Sequence, residues 1–212
     1  MVRFYLRVLA KRILTVCYNA TTRSQSSEDI SVQNLEPVRI RLATTYDIPA
    51  LRQLILDSVR GLSVTHYSAR QIESALQEVF GVDTQLVLDE TYFIADIDGQ
   101  IVGAGGWSKR TTLFGGDSSK TAVDSLLDSD KEPARIRAFY IHPQWSRRGI
   151  GSLILDACEE AARAAGFKSV ELASTLPGVP FYLARGYKKA EAIAIPMDSG
   201  EQLITYRMTN TL

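Results

Sequence analysis

The sequence predicts an α/β domain, a mixed sheet flanked by helices, carried behind a basic N-terminal extension. Three observations lead there. Alternating apolar runs interleave with helically spaced ones from residue 38 onward. Asp98-Gly99 separates two such runs and is the strongest hairpin signal in the chain. A strand at 135–141, a glycine-containing turn and a helix from Gly149 follow one another directly. A length of 212 residues with 45% hydrophobic and 23% charged side chains suits one soluble globular domain, residues 38–212, plus the extension 1–37.

The first strand is read at 38–43. Asp47 is placed to cap a helix that runs to about residue 60, with Pro49 tolerated in its first turn. A second helix covers 69–79, and strands at 91–96 and 101–107 flank the Asp98-Gly99 turn. Residues 108–133 form a long loop, polar at its centre; loops of that length in compact domains are mobile or functional. After the strand 135–141, Ile150, Leu153, Ile154, Ala157, Cys158 and Ala161 form one helical face, and Gly166 suits the position that ends the helix. A strand at 168–173, a short helix at 179–185 and strands near 187–195 and 202–208 complete the order β-α-α-β-β-β-α-β-α-β-β.

Residues 1–27 hold Arg3, Arg7, Lys11, Arg12 and Arg23 without an acid, and Leu6, Leu9, Ile13 and Val16 are helically spaced. An organellar transit peptide has this composition, and so does a dispensable tail or the product of a misplaced start codon; the location expected is cytoplasmic, or organellar if the segment is a transit peptide. No run is apolar enough for a membrane span. Overall charge is zero, with about five net negative charges outside residues 1–27, so nothing calls for nucleic acid. Cys17 and Cys158 make no disulfide framework; Cys158 reads as a buried structural thiol. With His66 and His142 the only histidines and no Cys pair at ligand spacing, no metal is expected.

The turn Arg147-Arg148-Gly149-Ile150-Gly151-Ser152 opens a helix. A helix start presents N–H groups without intrahelical partners and the positive end of the dipole, an environment that suits a pyrophosphate. Glycines at 149 and 151 remove Cβ atoms where a backbone must approach a ligand, and Arg147 and Arg148 add cations. The turn lacks the Gly-Lys-Ser/Thr of a P-loop, and Ile154 stands where the dinucleotide fingerprint needs its third glycine. On its own the turn reads equally well as a tight bend with two surface arginines.

A second run, Pro177-Gly178-Val179-Pro180-Phe181-Tyr182-Leu183-Ala184-Arg185-Gly186-Tyr187, lies about thirty residues on. With the strand 136–141, His142-Pro143 and the glycine turn, it makes the chain resemble the GNAT superfamily of N-acetyltransferases over residues 38–208. Two positions depart from the family pattern: Ser146 stands in place of Gln or Arg at the head of the glycine motif, and Pro177 where an Asn is common.

The resemblance implies a sheet splayed at its centre between the strands 135–141 and 168–173, with a bulge on the first. It implies acetyl-CoA as acyl donor, its pantetheine arm paired with backbone freed at Phe139, Tyr140 and Ile141. The diphosphate would rest on the amides of Arg147, Arg148, Gly149, Ile150, Gly151 and Ser152, and Phe181 would pack against cofactor or core. A primary amine, small or peptidyl, attacks the thioester directly; an N–H near Ile141 steadies the oxyanion and Tyr182 protonates the departing thiolate. No general base stands out among Asp89, Glu90, Asp96 and His66. Arg137 reads as a solvated or salt-bridged side chain or as a substrate or cofactor contact, and Gly105-Gly106-Trp107 as lining for the acceptor site or as the end of a hairpin. The acceptor and the oligomeric state are unread. Two alternatives stand: an acyl-CoA-binding sensor or scaffold without turnover, and an acyltransferase for longer acyl groups.

Overall fold

The computed structural model describes residues 38–119 and 124–212; the extension, and with it the transit-peptide reading, lies outside the described residues. Seven strands form one sheet in the order β1-β2-β3-β4-β5-β7-β6. They are β1 (Arg39–Leu42), β2 (Tyr92–Ile97), β3 (Gln100–Ser108), β4 (Ala134–Ile141), β5 (Ser169–Thr175), β6 (Lys188–Pro196) and β7 (Gln202–Thr211). Every neighbour pair is antiparallel except the parallel pair β4 and β5. Asp98, at φ 51, and Gly99, at φ 81, make the β2–β3 turn, the left-handed geometry that the Asp-Gly pair favours.

Helices cover both faces. On one lie α1 (Ile48–Ser63), α2 (Ala69–Glu78) and the single turn α3 (Thr84–Leu88). Leu51, Leu54, Ile55 and Val59 of α1 and Ile72 and Ala75 of α2 pack there with Leu86, Tyr92 and Ile94. On the other lie α4 (Ile150–Ala164) and α5 (Val179–Ala184). Ile150, Ile154, Leu155, Cys158 and Ala162 of α4 meet Val102, Trp107, Ile136, Leu172 and Tyr182. Cys158 is fully buried, its thiol 3.6 Å from the Gly105 carbonyl. Among the described residues no helix is long and apolar enough to cross a membrane.

Two local expectations change. Asp47 directs its carboxylate backward, to the Thr44 amide at 2.7 Å and to Arg41 at 2.8 Å, and makes no side-chain cap to α1. Thr44 and Asp47 together form a capping box for the preceding 3-10 turn, a closer target for a short side chain. The described residues of the segment after β3, 109–119 and 124–133, are also more tied down than a free loop. Arg110 bridges to Leu126, Gly116 meets Gly81 backbone to backbone, and the Arg110 guanidinium binds Asp89 at 2.6 Å.

Candidate active site

The pairing of β4 with β5 covers two residue pairs, Ala134 with Val170 and Arg135 with Glu171. Beyond them β4 continues to Ile141 and β5 to Thr175 without pairing, so the sheet opens into a gap. A bulge on β4 produces the divergence. Between Ala104 opposite Tyr140 and Gly106 opposite Arg137, β4 carries one residue more than β3. Ala138 absorbs it at φ 50, a left-handed conformation uncommon for alanine. The fully buried Tyr92 holds it there by donating its hydroxyl to the Ala138 carbonyl at 3.1 Å.

The bulge also sorts the side chains. Phe139 faces α4 and α5, its ring 5.8 Å from Phe181 and 6.1 Å from Tyr182. Glycine at 105 makes room for it, because a Cβ there would stand 2.4 Å from the ring. Tyr140 faces α1 and α2 and packs edge-on against Phe80 at 6.4 Å. The His142 amide bonds the Val102 carbonyl at 2.9 Å. Alternation then turns the amides of Ile141 and Phe139 away from β3, toward the gap. The Ile141 amide donates to Ser58 Oγ of α1 at 3.2 Å, so it is already engaged.

The glycine turn sits at the open end. Arg147 has φ 63 and Gly149 has φ 81, and Gly149 is the N-cap of α4. A Cβ at Gly149 would meet no atom within 4 Å, so space beside this backbone is open to a ligand. The helix ladder begins with Ser152, whose amide bonds the Gly149 carbonyl at 3.0 Å. The donors ahead of it, on Gly149, Ile150 and Gly151, are those a helix start leaves without an intrahelical partner. Ser152, counted among the donors from sequence, thus spends its amide inside the helix. The Arg148 guanidinium lies over the Trp145 ring at 4.9 Å, and Arg147 is exposed. Gly151 faces Phe181, 3.3 Å from where a Cβ would stand.

Tyr182 lies on α5 at the back of the gap, 6% exposed, between the rings of Phe139, Phe181 and Tyr187. Burial, and then the proximity of Cys158 and Glu159, pushes its phenol above the ordinary value, so it holds its proton. Tyr187 donates to Glu159 at 2.7 Å.

The opposite face is enclosed by a tyrosine that sequence reasoning missed. Tyr67, between α1 and α2, receives the Leu176 amide at 2.8 Å and donates to the Ile204 carbonyl at 2.6 Å. Burial raises its phenol to about 12. Nothing local in Thr65-His66-Tyr67 announces partners more than a hundred residues away.

Two of the carboxylates considered as bases, Asp89 and Asp96, are committed elsewhere. Arg110 holds Asp89 below the usual carboxylate range, and Asp96 accepts the Gly99 amide at 3.0 Å in the β2–β3 turn. Glu90 lies in the turn before β2 with φ 57, and the His66 amide bonds the Ser63 carbonyl after α1. Arg137 has a structural role. Its side chain is 1% exposed and meets Asp83 at 2.7 Å and the Gly115 carbonyl at 2.8 Å, anchoring the segment after β3.

The sheet is thus parted beside a parallel strand pair, with a glycine turn at the mouth and a buried tyrosine behind. Residues 56–187, more than half of the chain, match the profile of the acetyltransferase (GNAT) family. The chain therefore belongs to that family. Among curated proteins none matches its sequence. Solved structures share the fold at low identity. A GCN5-related N-acetyltransferase from Rhodopseudomonas palustris is 21% identical with a TM-score of 0.61, the match covering 82% of this chain and 94% of that one. The PaiA N-acetyltransferase of Thermoplasma acidophilum, solved with coenzyme A, is 16% identical with a TM-score of 0.56, covering 82% and 99%. The ribosomal-protein-alanine N-acetyltransferase of Brucella melitensis is 18% identical with a TM-score of 0.54, also covering 82% and 99%.

Proposed function

We propose that the protein transfers an acetyl group from acetyl-CoA to a primary amine by direct attack within a ternary complex. The observation that carries this reading is the open β4–β5 gap with Tyr182 packed on Phe139 at its back. The amides of Gly149, Ile150 and Gly151 hold the diphosphate on the positive end of α4, with Arg147 as charge support. Because Ser146 supplies no cation where the family has one, backbone donors dominate that contact. The pantetheine arm lies along β4 in the gap.

With the Ile141 amide on Ser58, the oxyanion role passes to the gap-facing amide of Phe139. Tyr182 gives its proton to the departing thiolate. Its raised pKa is compatible with this, since the same burial raises the pKa of a thiolate released beside it; buried Cys158 shows the same upward shift. Removal of the amine's proton before attack falls to water, Asp89 and Asp96 being tied to other partners.

The test is acetyl-CoA-dependent thiol release with a panel of amines, for the wild type and Tyr182→Phe. Loss of the phenolic proton should lower kcat by roughly 10²- to 10⁴-fold and leave the KM for acetyl-CoA near the wild-type value. Full activity of Tyr182→Phe across pH removes the acid assignment. Coenzyme A binding without turnover on any amine favours a sensor instead.

A further inference from the structure

The most informative group outside the expected constellation is the hydroxyl of Ser58. It sits on α1, 5% exposed, and its oxygen accepts the Ile141 amide at 3.2 Å. Ile141 belongs to the part of β4 that β5 does not pair, so the hydroxyl stands in the gap. No described residue accepts the proton of Ser58, although a buried hydroxyl ordinarily spends its proton as well as its lone pair. This leaves the hydroxyl proton, on an oxygen polarised by the backbone amide behind it, for another acceptor.

Spacing identifies a partner for it. The gap-facing amides of Phe139 and Ile141 are two residues apart, about 6.6 Å along an extended strand. In an acyl-thioester of pantetheine, the thioester carbonyl and the first amide carbonyl of the arm are separated by five bonds, roughly 6 Å when extended. A thioester at Phe139 therefore brings that amide carbonyl to the level of Ile141, where it meets the Ser58 hydroxyl in place of a backbone N–H. We infer that Ser58 is an arm-binding residue: its hydroxyl accepts the Ile141 amide and donates to the first amide carbonyl of the pantetheine arm. The inference rests on the reading of the gap as the pantetheine cleft. It makes α1 part of the donor site.

The experiment is calorimetric titration of wild type, Ser58→Ala and Ser58→Cys with coenzyme A and, separately, with its 3'-phosphorylated ADP moiety. Both variants should bind coenzyme A roughly 3- to 10-fold more weakly, the cost of one hydrogen bond, and bind the nucleotide moiety like wild type. Cysteine is close in size and a poor donor, so it tests the hydroxyl with the packing retained. Unchanged affinity for coenzyme A overturns the inference. Tighter binding overturns it too, because the hydroxyl would then compete with the arm for Ile141. Equal weakening for both ligands assigns Ser58 a purely structural role and also overturns it. A wild type that binds the nucleotide moiety as tightly as coenzyme A removes the pantetheine reading itself, a result distinct from the other three.

Discussion

Replacing Gly105 by alanine tests how the bulge on β4 is seated. A Cβ at this position would lie 2.4 and 2.6 Å from two carbons of the Phe139 ring and 2.8 Å from Cγ2 of Ile154. Contacts between carbons settle near 3.5–4.0 Å, so the ring must move by about 1 Å in a close-packed interior. Overpacking of this kind costs about 1–3 kcal/mol, opposed by up to ~1 kcal/mol from the stiffer unfolded chain. For a chain this long, the net loss lowers Tm by roughly 2–8 °C, read most directly from urea denaturation midpoints at constant m. Gly103→Ala is the internal comparison. Its Cβ would meet the terminal Cδ1 methyls of Ile141 and Ile154 and Cγ2 of Ile150 at 2.9–3.0 Å, shallower overlaps than the 2.4 Å at Gly105 and mostly with atoms that can swing away, so its cost is smaller. Phe139→Leu removes the clash, and combining it with Gly105→Ala should recover stability beyond the sum of the single effects, by about 0.5–3 kcal/mol. Strictly additive effects, or a Gly105→Ala variant no less stable than Gly103→Ala, would refute the reasoning.

Two further predictions concern charge. Arg137→Met leaves the Asp83 carboxylate, 0% exposed, without its guanidinium and should destabilise by about 3–5 kcal/mol in urea titrations; Arg60→Met, which loses only an exposed pair with Glu73, should leave the urea midpoint nearly unmoved. Asp47 is held at about 2 by its hydrogen bonds to Arg41 and Thr44, against 3.8 unfolded. A depressed folded pKa contributes stability above the unfolded value and loses it as pH falls through the folded one. Asp47→Asn should therefore cost about 1 kcal/mol at pH 7, solvent screening considered, and the difference from wild type should disappear between about pH 4 and pH 2.

Contiguous features were legible in the sequence. The glycine turn and Phe181-Tyr182 are each written within a few residues, and their order along the chain exposed the fold. What escaped was what distant residues decide. A bulge on β4 was expected, but not its place at Ala138, a residue type that does not advertise a left-handed backbone and that Tyr92 holds from two strands away. Ser58 and Tyr67 looked like ordinary helix and turn positions, because their partners at Ile141, Leu176 and Ile204 are remote in sequence. The single turn α3 is too short to show periodicity. Asp47 was misread because two N-cap candidates, Thr44 and Asp47, stand three residues apart and the nearer target won.

The two residue pairs that join β4 to β5 give the sheet the mechanics of a pair of tongs. Its arms, β1–β4 and β5–β7–β6, share a fulcrum at Arg135 and Glu171, where an ion pair between those side chains reinforces the backbone. At the far end the Tyr67 phenol acts as a tie-rod, gripping the turn after β5 and the β7 strand together from the loop between α1 and α2. Because both of those partners belong to the β5–β7–β6 arm while α1 reaches β4 through Ser58 and Ile141, widening the jaws loads the phenol's two hydrogen bonds as well as the fulcrum, and the helical face shares control of the opening.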